Sequence, residues 1–425
     1  MAQNLYCFIL GRNPTLGAAE VHKILEKEIA EVVWISPRVM TVRLNKKLAV
    51  NKDLMENLYG TTKIVEIIDV RNFEKSENIK TIIQEINLEN YLAIASKKTI
   101  FGMSVYNLDA EETSFERIFH QLNPLAVTVK KILKEKNIKS GFVKKEGTET
   151  SSGSIRKNNL LQNGGDIVII TRKKEVLLGK TVAIQDFEEY EWRNYHRPAR
   201  NLKSGIMPIK LARLMISLAS ANKTGAVLDP FCGSGTVLQE LILLGFKKII
   251  GFDINKEAIN DSQKNIDWLL SQYPQIDPKQ ISLKISLADA RELDKLLPHN
   301  SIDAIISEPY LGPIYEKPPK KQELAKIIKE LSELYIDFFK KAALVLKTNG
   351  KIVIVFPCFP AGENIIFLEI LEEIKKAGFV IEPPLPSDFL RFPAIQVSKR
   401  NSVLFIKEKQ IIIREILLFK KNAEN

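Results

Sequence analysis

The chain has 425 residues, of which 45% are hydrophobic and 27% charged, with a net charge of +11. That balance excludes disordered, collagen-like and low-complexity classes, and the length suggests two or three domains. Three cysteines and four scattered histidines give neither a disulfide framework nor a zinc pattern, so no metal is expected. No apolar run approaches the ~18 residues of a membrane-spanning helix. The start, MAQNLYCFILGRNP, lacks a basic leader and a long apolar stretch. A cytoplasmic protein without a membrane partner is therefore expected. The positive charge suits a polyanionic partner, and equally reflects a lysine-rich composition.

The first 170 residues hold strand-like runs at Leu5–Leu10, Val32–Ile35, Val39–Leu44, Leu92–Ala95 and Ile167–Thr171. Helical patterns lie between them at Ala18–Glu28, Ile79–Ile86 and Ser114–Lys136. This alternation predicts an α+β region of one or two modules. A lysine-rich run over 130–157 includes Lys144, Lys145, Arg156 and Lys157 beside the Gly147–Ser154 loop. It reads either as a solvated face or as a nucleic-acid surface.

Residues 186–208 mix aromatics with Arg193, Arg197, Arg200 and Lys203 and are punctuated by prolines. They read as an irregular linker, either a packed strap or a phosphate- and base-contacting segment. From there strand–helix alternation begins. Helices are predicted at Ile209–Ala219, Val237–Leu244 and Lys256–Leu270. Strands are predicted at Ala226–Leu228, Lys248–Phe252, Ile281–Leu287, Ala304–Ser307 and Lys351–Phe356. The spacing predicts a doubly wound, mainly parallel sheet. Runs at Ser402–Ile406 and Ile411–Phe419 have no helix between them and predict an antiparallel end.

The strongest motif is Asp229-Pro230-Phe231-Cys232-Gly233-Ser234-Gly235-Thr236, between a strand and a helix. Gly233 and Gly235 permit a sharp turn and close ligand approach, and the helix start offers free amides. It is neither a lysine-bearing phosphate loop nor GxGxxG. A short loop behind an acidic residue suits an adenosyl amino acid better than a triphosphate. Asp253 ends the second strand, where a carboxylate can accept from ribose hydroxyls. Asp289-Ala290 follow the third strand, where they can hold an adenine amino group. Three acidic residues at three successive strand ends mark the ligand edge of such a sheet. Cys232 reads as a space-filler, and Phe356–Pro360 as either a base-pocket wall or a turn.

The fourth strand ends in Ser307-Glu308-Pro309-Tyr310. With the glycine loop, this resembles the S-adenosylmethionine-dependent amino-methyltransferases, whose tetrapeptide is usually (Asn/Asp/Ser)-Pro-Pro-(Tyr/Phe). Leu10-Gly11-Arg12-Asn13-Pro14, Phe101-Gly102-Met103-Ser104-Val105, Arg197-Pro198-Ala199-Arg200 and Lys203-Ser204-Gly205 narrow it. The chain is similar over nearly its whole length to the THUMP-containing tRNA guanosine-10 N2-methyltransferases. The resemblance implies a ferredoxin-like segment at 1–75, a THUMP RNA-binding domain at 76–175, a linker at 176–205 and a Rossmann-like methyltransferase domain at 206–425. It implies S-adenosylmethionine held by Asp229, Phe231, Gly233, Gly235, Thr236, Asp253, Asp289 and Ala290. Ser307, the Glu308 carbonyl, Pro309 and Tyr310 would serve the exocyclic amine and stack its base. tRNA or another structured RNA is the implied partner, and small activating subunits occur among such relatives.

Two positions depart from the family pattern. Ser307 replaces the usual Asp, removing a charge-assisted acceptor. Glu308 replaces a proline but keeps its carbonyl, and its carboxylate is a candidate for the missing acceptor. The alternatives are a changed substrate, such as rRNA or adenine in DNA, or a non-catalytic RNA-binding protein.

Overall fold

The computed structural model describes residues 3–73, 78–108, 113–143, 147–200, 207–315, 317–406 and 410–422. Two units arise: Met1–Asp186 with Asp388–Ile395, and Phe187–Ser387 with Gln396–Asn425.

In the first unit the strands are β1 (Leu5–Leu10), β2 (Ile29–Ile35), β3 (Val39–Leu44), β4 (Thr61–Asn72), β5 (Thr99–Asn107), β6 (Ser140–Phe142), β7 (Gly164–Arg172) and β8 (Glu175–Ile184). Helices are α1 (Pro14–Leu25), α2 (Lys52–Asn57), α3 (Ile79–Glu85), α4 (Thr113–Glu135) and α5 (Ser152–Lys157). The strands form one sheet in the order β2-β3-β1-β4-β8-β7-β5-β6. Helix α1 starts earlier than its apolar periodicity suggests. Asn13 caps it, accepting from the Leu16 amide at 3.0 Å, and Pro14 occupies the first turn.

Leu92–Ala95 is not a strand. The Leu92 amide closes back on the Leu88 carbonyl at 2.9 Å, and the Leu92 side chain is buried in the core under α3 and α4. Residues 176–184, assigned above to the linker, are strand β8 of this sheet. The β4–β8 pairing makes the sheet continuous from β2 to β6.

The second unit contains β9 (Ala226–Asp229), β10 (Lys248–Asp253), β11 (Ser282–Leu287), β12 (Ile302–Ser307), β13 (Leu346–Ala361), β14 (Asn364–Ile366), β15 (Phe379–Glu382), β16 (Val403–Phe405) and β17 (Ile413–Lys421). Its helices are α6 (Phe187–His196), α7 (Ile209–Ala219), α8 (Thr236–Leu243), α9 (Lys256–Gln272), α10 (Leu293–Leu296), α11 (Lys321–Val345) and α12 (Leu371–Lys376). The sheet order is β11-β10-β9-β12-β13-β17-β15. Pairings from β11 to β13 are parallel, and β17 runs antiparallel between β13 and β15. This is the mixed α/β, Rossmann-like arrangement expected above. The inner strands β9 and β12 are buried on both faces, which is why they read as largely apolar runs.

The order reverses at β9: the chain goes to β10 and β11 on one side, then to β12 on the other. Open α/β sheets bind ligands at that switch point, beyond the strands' carboxyl ends.

Residues 187–196, read above as irregular, form helix α6. Arg193 explains it. It bonds Glu189 one turn earlier at 2.6 Å and the buried Glu240 of α8 at 3.1 Å. Arg213 of α7 also pairs with Glu240, so three helices share one buried carboxylate.

Candidate active site

The ends of β9, β10 and β12 border one cavity of about 880 Å³. That is within the range of ~300–1,000 Å³ typical of small-molecule sites.

The glycine loop is stitched to the end of β10. The Cys232 amide donates to the Phe252 carbonyl at 2.8 Å, and the Gly233 amide to Asp253 Oδ2 at 2.9 Å. Asp253 Oδ1 accepts from the Asn255 amide at 2.8 Å, which fixes the carboxylate at the cavity wall. Gly233 and Gly235 have φ of +52° and +80°, the left-handed region that favours glycine. A Cβ on Gly235 would fall 2.4 Å from Ser262 Oγ. A Cβ on Gly233 would meet no protein atom within 4 Å, so its absence keeps open a stretch of the cavity lining. Phe231 and Thr236 line the same space, and Thr236 Oγ1 accepts from Arg197 at 2.9 Å. Cys232 is buried and its thiol is pushed up by that burial, which suits the space-filling reading.

Asp289 and Ala290 also border the cavity. Asp289 caps a short turn through the Arg291 amide at 2.8 Å. Its carboxylate is gripped by the Arg291 guanidinium at 2.6 Å and 3.0 Å, which holds it below the usual carboxylate range.

The tetrapeptide segment differs from expectation at its first residue. Ser307 is fully buried, and its hydroxyl donates to Asp229 Oδ1 at 2.5 Å. Ser307, expected as an acceptor for a substrate amine, is instead fully buried outside the cavity lining, where it braces Asp229. Burial pushes Asp229 up to about 7, against the bonds from Ser307 and the Phe231 amide. Glu308, Pro309 and Tyr310 do line the cavity. The Tyr310 carbonyl accepts from the buried Tyr335 hydroxyl at 3.2 Å, while its side chain stays 56% exposed. That leaves a fixed backbone with an accessible ring.

Sequence reasoning missed Arg414. It lies on β17, lines the cavity and holds Glu308 in a two-pronged ion pair at 2.6 Å and 2.9 Å. The available signal was an Arg-Glu pair inside an otherwise apolar strand. Phe356–Pro360 is neither a turn nor a pocket wall; it continues β13, with Phe356 in the core.

Two of the residues expected to contact RNA are corrected as well. Arg193 and Arg197 are 2% and 3% exposed and point into the helix packing and onto Thr236. Arg200 remains at the surface, over the Tyr195 ring at 5.3 Å. Lys157 is exposed, and Arg156 pairs at the surface with Asp186 at 2.7 Å. Lys144, Lys145 and Lys203 lie outside the described residues. The adjoining loop is anchored from within by the buried Lys63, which bonds the Thr150 carbonyl at 2.5 Å. Among the described residues, no helix is long and apolar enough to cross a membrane, and no group of three His, Cys, Asp or Glu residues is placed to hold a metal.

The reversed strand order, the glycine loop, the strand-end acids and the Pro-Tyr segment together define a methyltransferase-type α/β domain. A family model described as a methyltransferase domain matches residues 221–377. Another, described as DNA methylase, matches residues 32–264, more than half of the chain, and the chain belongs to that family. A tRNA (guanine(10)-N2)-dimethyltransferase of Methanocaldococcus jannaschii is 29% identical over 239 residues, 55% of this chain and 62% of that protein. Proteins of the same name from Methanothermobacter thermautotrophicus and Pyrococcus abyssi are 29% and 27% identical over 38% and 41% of this chain, and 42% and 46% of theirs. The matches thus span less than two thirds of these relatives. The crystal structure of TrmN from Thermus thermophilus superposes with a TM-score of 0.57 at 14% identity, over 98% of this chain and 99% of that one. That likeness supports the fold.

Proposed function

We propose that this chain methylates the exocyclic N2 of a guanosine in tRNA, at position 10, using S-adenosylmethionine. The observation that carries the reading is the convergence of the glycine loop, Asp253, Asp289 and the Pro309-Tyr310 segment on one cavity. The names of the relatives point the same way.

The residues fit the cofactor. The open space at Gly233, the fixed Asp253 carboxylate and the amides opening α8 suit an adenosyl amino acid. Asp289 and Ala290 would hold its adenine, and Phe231 its apolar face. When bound, the cofactor supplies an electrophilic methyl group. Guanine N2 is a poor nucleophile because its lone pair is delocalised into the ring. The Glu308 carbonyl accepts from the amine and favours its nucleophilic form, and in-line placement lowers the barrier. Tyr310 stacks on the extruded base, a contact worth about 1–3 kcal/mol.

The first unit is read as the RNA-gripping half, with a ferredoxin-like segment followed by a THUMP domain. Arg156 and Lys157 are its candidate phosphate contacts with the A-form helices of tRNA, and Arg200 is a candidate contact of the second unit. The cytoplasm is the compartment in which such an enzyme meets its substrate.

The test is incubation with S-adenosylmethionine and unmodified tRNA transcripts, followed by nucleoside mass spectrometry. The expected product is N2-methyl- or N2,N2-dimethylguanosine, lost when guanosine-10 is replaced by adenosine. Methyl groups on adenine, or none despite cofactor and tRNA binding, would overturn the proposal.

A further inference from the structure

The glycine loop and the Pro-Tyr segment leave the choice of base open, because guanine and adenine both carry an exocyclic amine. The ion pair between Glu308 and Arg414 supplies a discriminator. Glu308 follows the last residue of β12, and Arg414 reaches it from β17. Both side chains are largely withdrawn from solvent, at 13% and 10% exposed, yet both line the cavity beside Tyr310.

We propose that Glu308, oriented by Arg414, reads the Watson–Crick edge of the extruded base and selects guanine. This rests on the guanosine-methylation reading above.

A carboxylate has about four lone-pair sites. Arg414 takes one on each oxygen, through Nε at 2.6 Å and Nη2 at 2.9 Å, and this fork fixes the carboxylate plane. One site on each oxygen remains. Ser307, the alternative acceptor, is fully buried and lies outside the cavity lining. Guanine offers two adjacent donors, N1–H and the N2 amine. Adenine offers its amine next to N1, which is an acceptor. A fixed acceptor at that edge therefore favours guanine and repels the adenine N1 lone pair. Arg414 is a positioning residue: it compensates the withdrawn charge of Glu308 and sets its plane. Lysine would keep the charge but not the fork.

The test replaces guanosine-10 of a tRNA transcript by 2-aminopurine, which keeps the reacting amine and lacks N1–H. The wild-type protein should prefer guanosine by about 10- to 100-fold in kcat/KM, the usual size of one well-made base-edge contact. Glu308→Gln, whose amide can also donate to an unprotonated N1, should flatten that preference. Arg414→Lys should lower kcat with little change in the KM for tRNA, and thermal unfolding should show both variants folded. Equal use of the two bases by the wild type, or a preference that survives in Glu308→Gln, would overturn the proposal and leave the methylation reading intact. Absence of methylation on every transcript would sink the methylation reading instead. The edge reading is then judged by equilibrium binding of the same two transcripts, and equal affinities would overturn it.

Discussion

The glycine loop and the Pro-Tyr segment border the same cavity but are held in opposite ways. In the loop, backbone amides and one carboxylate hold each other: Gly233 and Asn255 both bond Asp253, and two left-handed glycines set the turn. In the segment after β12, side chains from distant strands and helices do the holding. Arg414 clamps Glu308, Tyr335 fixes the Tyr310 carbonyl, and the Tyr310 ring is left half in solvent. A loop braced by its own backbone suits an unvarying cofactor. A segment braced by long-range partners can be retuned for a different base without rebuilding the fold.

This contrast makes graded predictions. Gly235→Ala should have the largest effect, because a side chain there is both left-handed and in collision with Ser262. A loss of about 1–3 kcal/mol in stability is expected from the backbone alone, measured by denaturant unfolding, together with loss of S-adenosylmethionine binding. An unchanged unfolding midpoint would break the claim that the loop is conformationally fixed. Asp253→Ala should come next. Hydrogen bonds to a charged group contribute about 1.5–3 kcal/mol, so cofactor affinity should fall roughly tenfold to a hundredfold by calorimetry, with the protein still folded.

Asp229 carries the pH dependence. Burial raises its carboxyl from an ordinary 3.8 to about 7, so the folded protein binds that proton more tightly than the unfolded chain. Its contribution to stability is fully present at acid pH and is lost as pH rises from about 4 through 7. Asp229→Asn should remove this downward slope from a plot of unfolding midpoint against pH. A slope that persists in the variant would place its origin elsewhere.

Legibility in the sequence followed the same division. The second unit was readable because its inner parallel strands are largely apolar and are punctuated by Gly and Asp. Ile209–Ala219 has the predicted bounds, and Asp229, Asp253 and Asp289 fall at strand ends as expected. The first unit was harder. Strand β4, TTKIVEIIDVRN, carries charges among its apolar residues, including Lys63, whose burial depends on Thr150 far along the chain. Helix α6 was obscured by its polarity, although the Glu189–Arg193 spacing hinted at it. The Glu308–Arg414 pair joins residues 106 positions apart, so the charge in β17 could be noticed locally but its partner could not. Ser307 failed for a related reason: the motif fixes its position at a strand end, but the neighbouring Asp229 decides where its hydroxyl points.

The most direct measurement takes Tyr310→Ala and reads two quantities on the same preparation: S-adenosylmethionine affinity by calorimetry and methyl transfer to tRNA by mass spectrometry. The account predicts wild-type cofactor affinity and an unchanged unfolding midpoint, because the ring is exposed and outside the loop. Methyl transfer should fall by about tenfold to a hundredfold, as expected for loss of one stacked base. Loss of cofactor affinity in parallel with transfer, or full transfer without the ring, would contradict the division of the cavity into a cofactor end and a base end.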